Sequence, residues 1–391
     1  MKHVSQKNSA SLSFGVLCLC MMVPNFIQYQ VSSLGPAVMK QYAMSLSQLS
    51  MLFTAPMIPA VFLSLTAGLL IDKFGAKAII GAGMVITTIG AVGRIVGKNF
   101  PVMLVTTLLT GFSITFINAG SGKIIGNLFS PQKVPEKMSI LMAASSLAMS
   151  ISNLTSAYFP SVTAAFVSAA VFSCIATVLW FVLEKDYAAE QQSCQRADMV
   201  MCVKVVFKNG DVWFVAFASF FFMASNVVIG SFLPTALSFK GISSTTAGTI
   251  AALYTIGSLI GCFFVSFCIQ KVHSQRIVLI AFAAISAVGM ALSLLICNVV
   301  FMAIIIFVTG VFMGGVIPTL LALPVQFAAI GPKYAGTAGG VVGTIQLLGA
   351  VVVPNYILTP IAGNNFIVLF LLSGLCMLIS GMFSALIKGV R

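Results

Sequence analysis

Apolar residues run in long blocks along the chain, broken by short clusters of Pro, Gly, Asn and charge. The blocks fall at about 14–38, 48–71, 77–97, 101–127, 136–157 and 162–184, and after a polar stretch at about 211–236, 245–270, 275–297, 300–324, 335–358 and 365–388. Each holds the roughly 20 residues that a helix needs to cross the hydrocarbon of a bilayer. Backbone groups in hydrocarbon must be satisfied within their own segment, which uninterrupted runs do as helices; barrel strands would be short and alternating. The pattern predicts an all-α integral membrane protein of twelve transmembrane helices, numbered here spans 1 to 12. The first run follows Lys2 and Lys7 as a signal peptide would, but it is long, contains Pro24 and Gln28 and shows no small-residue cleavage site. It is expected to be retained as span 1.

Composition sharpens this picture. Of 391 residues, 59% are hydrophobic and 7% charged, against about 25% charged in soluble domains. A soluble globule is excluded, and twelve spans leave no expected room for a separate catalytic domain. The net charge of +13 would suggest nucleic acid as partner in a soluble chain, but here the charges lie between spans, where they set topology. The expected partners are the lipid bilayer and a small-molecule substrate, with no nucleic acid. With the N-terminus in the cytoplasm, fifteen Lys and Arg fall on cytoplasmic segments and three (Lys40, Lys98, Lys240) outside, Arg94 and Lys123 remaining within spans. This excess predicts a multi-pass protein of the cell membrane with both termini cytoplasmic. The nine cysteines lie mostly inside spans; Cys194 and Cys202 share a polar stretch without a neighbouring His or CxxC spacing. Neither a disulfide framework nor a metal or other cofactor is expected.

The longest polar connection divides the spans six and six: an N-terminal bundle at 1–184, a cytoplasmic linker at 185–210 and a C-terminal bundle at 211–391. At an offset of about 200 residues, Asn25, Pro36 and Lys40 recur as Asn226, Pro234 and Lys240, and Thr110-Gly111 as Thr309-Gly310. Asn153 and Pro160 find Gln346 and Pro354 in the same way. One offset across several helices indicates a duplicated bundle.

Between spans 2 and 3 stands Gly68-Leu69-Leu70-Ile71-Asp72-Lys73-Phe74-Gly75-Ala76-Lys77. This resembles the G-x-L-x-D-[RK]-x-G-x-[RK] signature of the major facilitator superfamily, at the loop where that family carries it. The resemblance implies two pseudo-symmetric six-helix bundles that alternate access to a central site. Gly68 is expected to permit close helix contact, Asp72 to pair at a helix end, and Gly75 to allow a tight turn. Gly68, Asp72, Lys73, Gly75 and Lys77 thus form an expected conformational latch. In the second half, Gln270 and His273 replace the Asp and Gly of the counterpart loop, and His273 is expected to be a solvated loop residue. Lys123 to Pro131 is similar to the K-x-x-x-x-W-F-P segment of organic- and inorganic-anion porters, with Leu128 for the Trp and Ser130 splitting Phe129 from Pro131. The segment from Pro332 through Gly339-Gly340 to Gln346, Gly349 and Pro354 resembles span 11 of the nitrate- and cyanate-type branches, where Pro354 can bend the helix.

All seven acids (Asp72, Glu136, Glu184, Asp186, Glu190, Asp198, Asp211) lie at helix ends or in cytoplasmic segments, so a carboxylate relay at mid-membrane depth is not expected. Span 5 lacks the G-x-x-x-G-P-x-x-G-G pattern of proton-coupled drug antiporters. Neutral polar groups within the spans are the substrate-cavity candidates: Asn25, Gln28, Tyr29, Asn118, Asn226, Tyr254 and Gln346, on helices that line the cavity in the family. Lys123 is either a gate cation that meets an anionic substrate or a snorkelling side chain. Arg94, near the outer end of span 3, is expected to anchor at the interface, with a substrate-attracting cation as the alternative. The function expected is secondary transport of a small anion or polar metabolite, by a protein that is not an enzyme and works as a monomer. Efflux of amphipathic drugs is the alternative within transport, and a membrane-embedded sensor or receptor the alternative outside it.

Overall fold

The structure is a computed structural model that describes residues 2–97, 99–130, 133–184, 205–327 and 330–388. All regular structure among the described residues is helical. Among the described residues, twelve helices are long and apolar enough to cross a membrane: Ala10–Ser33, Leu46–Leu63, Ala76–Val96, Phe100–Leu128, Glu136–Tyr158, Val162–Leu183, Gly210–Phe239, Ser244–Val272, Gln275–Ser293, Val299–Pro324, Thr337–Ala362 and Phe366–Leu386. They coincide in order with the twelve apolar blocks, so the all-helical transmembrane fold stands as expected.

Local chemistry marks where the helices begin. Asn99, Ser161, Asn209, Ser243, Ser274, Asn298 and Asn365 cap spans 4, 6, 7, 8, 9, 10 and 12, each side chain accepting from a backbone N–H two or three residues on. Such caps satisfy donors that the first turn orphans and contribute about 1 kcal/mol each. Interruptions within spans are equally local. Span 2 runs as Leu46–Thr54, a 3-10 turn at Ala55–Met57 and Ile58–Phe74, breaking where Pro56 has no N–H to donate. Span 11 passes from Gly331–Val353 into a π-helical turn at Pro354–Leu358 before closing as Thr359–Ala362. The bend expected at Pro354 takes that form.

The chain forms two compact units, one comprising Met1–Met44 and Ala55–Gln191, the other Ser45–Thr54 and Gln192–Arg391. Residues 185–204 of the expected linker lie outside the described residues. The first half of span 2 groups with the second unit, which no apolar pattern announces.

In the first unit, span 1 packs on spans 5 and 6, span 3 on spans 4 and 6, and the Ile58–Phe74 half of span 2 on span 4. In the second, span 7 packs on spans 11 and 12, span 9 on spans 10 and 12, and span 8 on span 10. The pairing repeats with a shift of six spans, and so do its closest contacts. A Cβ at Gly111 would overlap the Pro56 carbonyl oxygen, and one at Gly310 the Tyr254 carbonyl oxygen. Likewise Gly90 faces the Thr110 methyl and Gly289 faces Thr309. Each pair recurs at the offset of about 200 residues expected of a duplicated bundle.

Polarity is inverted relative to a soluble core. Val171, Ile175, Val178 and Val182 form an exposed stripe on span 6, at helical spacing, because hydrocarbon is the solvent of that face. The interior holds Leu17, Ile27, Ile80, Met84 and Trp180 together with hydroxyls. Thr88 Oγ1 lies 2.7 Å from Ser173 Oγ and 2.9 Å from Thr177 Oγ1, joining spans 3 and 6.

Candidate functional site

The Gly68 to Lys77 segment closes span 2 and opens span 3. The helix ends at Phe74, and Gly75 takes φ +86°, where its N–H still bonds the Ile71 carbonyl. That left-handed value is open to glycine and strained for other residues, so the tight turn expected of Gly75 is present. Gly68 differs from expectation. A Cβ built on it meets no atom within 4 Å, so no close helix contact among the described residues depends on it. Lys73 is exposed, its ammonium 5.0 Å from the Phe74 ring. The Asp72 side chain lies outside the described residues.

The Lys77 carbonyl accepts from Trp180 Nε1 at 3.1 Å, tying the start of span 3 to span 6. Lys77 lines a small cavity with Gly75, Lys123, Asn127 and Glu184. The structure thus brings Lys123, a cavity candidate, to the same place as the loop. Glu184 was no candidate, although an acid at the end of the apolar run of span 6 was a visible signal. It is buried, while Lys123 is half-buried and Asn127 exposed. Burial pushes the Glu184 carboxyl above its ordinary range, opposed by the Ser13 hydroxyl and the Lys77 ammonium.

The other candidates of the first unit are scattered. Asn25 is buried and turns back to its own helix, Nδ2 donating to the Met21 carbonyl at 2.9 Å. Gln28 and Tyr29 are buried and neither is without a partner, and Asn118 is exposed on span 4. Sequence reasoning missed the polar groups that join span 1 to its neighbours. Gln30 Nε2 donates to the Ala165 carbonyl at 2.9 Å, Ser33 Oγ to Asn153 Oδ1 at 2.7 Å and Ser152 Oγ to the Phe26 carbonyl at 2.8 Å.

Arg94 corrects an expectation. Instead of anchoring at the interface it is 1% exposed, inside the first unit. Its guanidinium carbon lies 4.1 Å from the centre of the Phe166 ring, and Nη1 donates to the Ile27 carbonyl at 3.3 Å. Span 3 is thereby linked to spans 1 and 6. Nε and Nη2 meet no partner among the described residues. A buried cation without a carboxylate is costly in hydrocarbon, and the ring face and carbonyl offset part of that cost.

The second unit joins two of its candidates. Asn226 Nδ2 donates to Tyr254 Oη at 3.0 Å, and the hydroxyl reaches Met313 Sδ at 3.6 Å. Spans 7, 8 and 10 therefore share one polar cluster. Gln346 on span 11 is half-buried, with Oε1 buried and unpartnered among the described residues. His273 is exposed at the end of span 8, as expected of a solvated loop residue. The seven described cysteines are free thiols, Cys194 and Cys202 lie outside the described residues, and no three His, Cys, Asp or Glu side chains are grouped for a metal among the described residues.

The sequence profile of the Major Facilitator Superfamily matches residues 12–354. No curated protein gives a significant sequence match. Among solved structures, a mutant of the nucleoside transporter NupG superposes with a TM-score of 0.78 at 15% identity, covering 95% of this chain and 100% of its own. A bacterial homologue of the human lysosomal transporter Spinster, inward-facing and unoccupied, gives 0.75 at 12% identity, covering 97% and 95%. The inward-open xylose transporter XylE from E. coli gives 0.75 at 13% identity, covering 97% and 96%. At such identities the likeness speaks for the fold.

Proposed function

The chain belongs to the major facilitator superfamily, whose members are transporters, and we propose that it carries a small anion or polar metabolite across the cell membrane by alternating access. The observation that carries this reading is the chemistry of the candidate side chains. Amides, a tyrosine and lysines are available, and the acids all lie at helix ends or between spans. The joined Asn226 and Tyr254 offer an amide oxygen and a phenol. Such groups suit anions and neutral polar solutes better than cationic drugs, whose recognition calls for a carboxylate. Nucleosides and xylose, the cargo of two structural neighbours, fall within the neutral polar class.

In this reading Asn25, Gln28, Tyr29, Asn118, Lys123, Asn226, Tyr254 and Gln346 supply the substrate contacts, and Gly68, Asp72, Lys73, Gly75 and Lys77 the latch. Two bundles, 1–184 and 211–391, joined by the cytoplasmic linker 185–210, rock around a central site in a monomer with both termini in the cytoplasm. The preponderance of Lys and Arg on one set of loops supports that orientation. The test is uptake into proteoliposomes against labelled inorganic and carboxylate anions, nucleosides and pentoses, with and without proton or sodium gradients. Saturable uptake of one of these supports the reading. A quaternary ammonium compound as the best substrate replaces it with drug efflux, and binding without flux replaces it with a sensor.

A further inference from the structure

Glu184 departs from the picture of acids in solvated positions. It lies one residue beyond span 6 and is 3% exposed. Both carboxylate oxygens are buried and meet no hydrogen-bond partner of good geometry among the described residues, although the Ser13 hydroxyl acts on the carboxyl as a donor. They border a cavity of about 10 Å³, shared with Gly75, Lys77, Lys123 and Asn127, which is about the space that one water molecule occupies.

The chemistry of this cavity selects its ligand. A metal cation would face the two ammonium groups of Lys77 and Lys123 and would need a coordination shell for which there is no room. An anion would face the carboxylate. A proton needs no shell, and burial of a carboxyl favours its neutral form. Asn127 is exposed and Lys123 half-buried, so the cavity lies within reach of solvent.

We propose that Glu184 is a proton-binding site of the first unit, taking up and releasing one proton beside the Gly68 to Lys77 loop. Uptake converts the carboxylate to a carboxylic acid, withdrawing the negative charge that faces Lys77 of span 3 and Lys123 of span 4. Release restores it. Among the described residues, Lys77 and Lys123 are the charged groups that line the cavity with Glu184. Ser13 and the Cys20 thiol face it from span 1, and Lys137 of span 5 lies over the rings of Phe14 and Phe129, 5.6 and 5.3 Å from their centres. Proton occupancy therefore sets the charge balance at the loop. The inference is independent of the substrate reading, and its test uses no substrate.

The experiment is an infrared titration of the full-length protein in lipid nanodiscs from about pH 4 to 9, following the C=O stretch of protonated carboxyls, with Glu184→Gln and Lys77→Met as variants. The wild type should show a band that titrates above the value of about 4.3 usual for glutamate and is missing from Glu184→Gln. Lys77→Met removes a cation that favours the charged form, so its midpoint should rise by about one pH unit. Emission of Trp180, bonded to the Lys77 carbonyl, should follow the same midpoint in a Trp213→Phe background. Identical spectra for wild type and Glu184→Gln, a midpoint at or below the usual value, or a midpoint unmoved by Lys77→Met would each overturn the proposal. Should Glu184→Gln not fold, the wild type and Lys77→Met decide between these outcomes.

Discussion

Asn355 Nδ2 donates to Thr54 Oγ1 at 2.7 Å and to the Val351 carbonyl at the same distance. Thr54 ends the first half of span 2, and Asn355 sits in the π-helical turn of span 11. A second contact, Ser47 Oγ to Thr359 Oγ1 at 3.3 Å, repeats the connection one segment away. The π turn supplies Asn355 and the short helix that follows it supplies Thr359, so the local consequence of Pro354 is a docking point for Leu46–Thr54 within the second unit.

Asn355→Ala should loosen that docking while leaving the helices intact. Interhelical hydrogen bonds in membranes contribute about 0.6 kcal/mol on average and up to about 1.7 kcal/mol. A cysteine placed at Ser50, which is buried, should then react several-fold faster with a polar maleimide in the Asn355→Ala background than in the parent. Equal rates would show that the bond does not hold the segment.

The two glycine contacts make a matched pair. Gly111→Ala and Gly310→Ala each drive a methyl into a carbonyl oxygen, of Pro56 and Tyr254 respectively, and overpacking of this kind costs about 1–3 kcal/mol. Thermal unfolding in detergent should shift down for both. Gly68→Ala, with open space around its Cβ, should leave the unfolding temperature of the parent.

Arg94 is expected to act on stability. Arg94→Ala removes the stacked cation and leaves a void between spans 1, 3 and 6, whereas Arg94→Met fills the space without a charge to desolvate. Arg94→Met should therefore be the more stable of the two, and Phe166→Leu should lose about 0.5–2 kcal/mol through the missing ring face. Unfolding curves of the three variants check the order.

For Lys123, loss of a charge that meets an anionic substrate at a desolvated gate is expected to cost about 2 kcal/mol of binding in Lys123→Gln, against almost nothing for a solvated lysine. Competition for the transported anion measures it. Unchanged affinity would remove Lys123 from the substrate path.

Asp72→Asn should slow turnover more than it weakens binding, because a latch acts on the balance of conformers, typically by about 1–3 kcal/mol, and the substrate site lies elsewhere. Parallel measurement of binding and flux at matched expression separates the two effects. Equal turnover would exclude a latch role.

What the sequence determined by itself is set by solvent and by neighbours along the chain. Twelve spans follow from hydrocarbon forcing each long apolar run to pair its own backbone. Asn and Ser caps, the turn at Gly75 and the deformation at Pro354 follow from the conformational freedom and donor count of single residues. The recurrence of Thr110-Gly111 as Thr309-Gly310 was visible as an offset, and packing made each glycine a close contact. Other features waited on the rotation of each helix about its axis, which hydropathy cannot give because it averages over all faces. Arg94 near the end of an apolar run is compatible with lipid headgroups or with a helix seam, and only the ring of Phe166 and the carbonyl of Ile27 decide for the seam. Glu184 after its run is compatible with solvent, and the turn at Gly75 together with Lys77, Lys123 and Ser13 encloses it instead. Asn226 and Tyr254 were each polar residues in separate helices, and the packing of spans 7 and 8 placed their side chains within one hydrogen bond. Tertiary structure decides such matters because a buried polar group has no water to fall back on, so its position is fixed by whichever partner on another helix comes within reach.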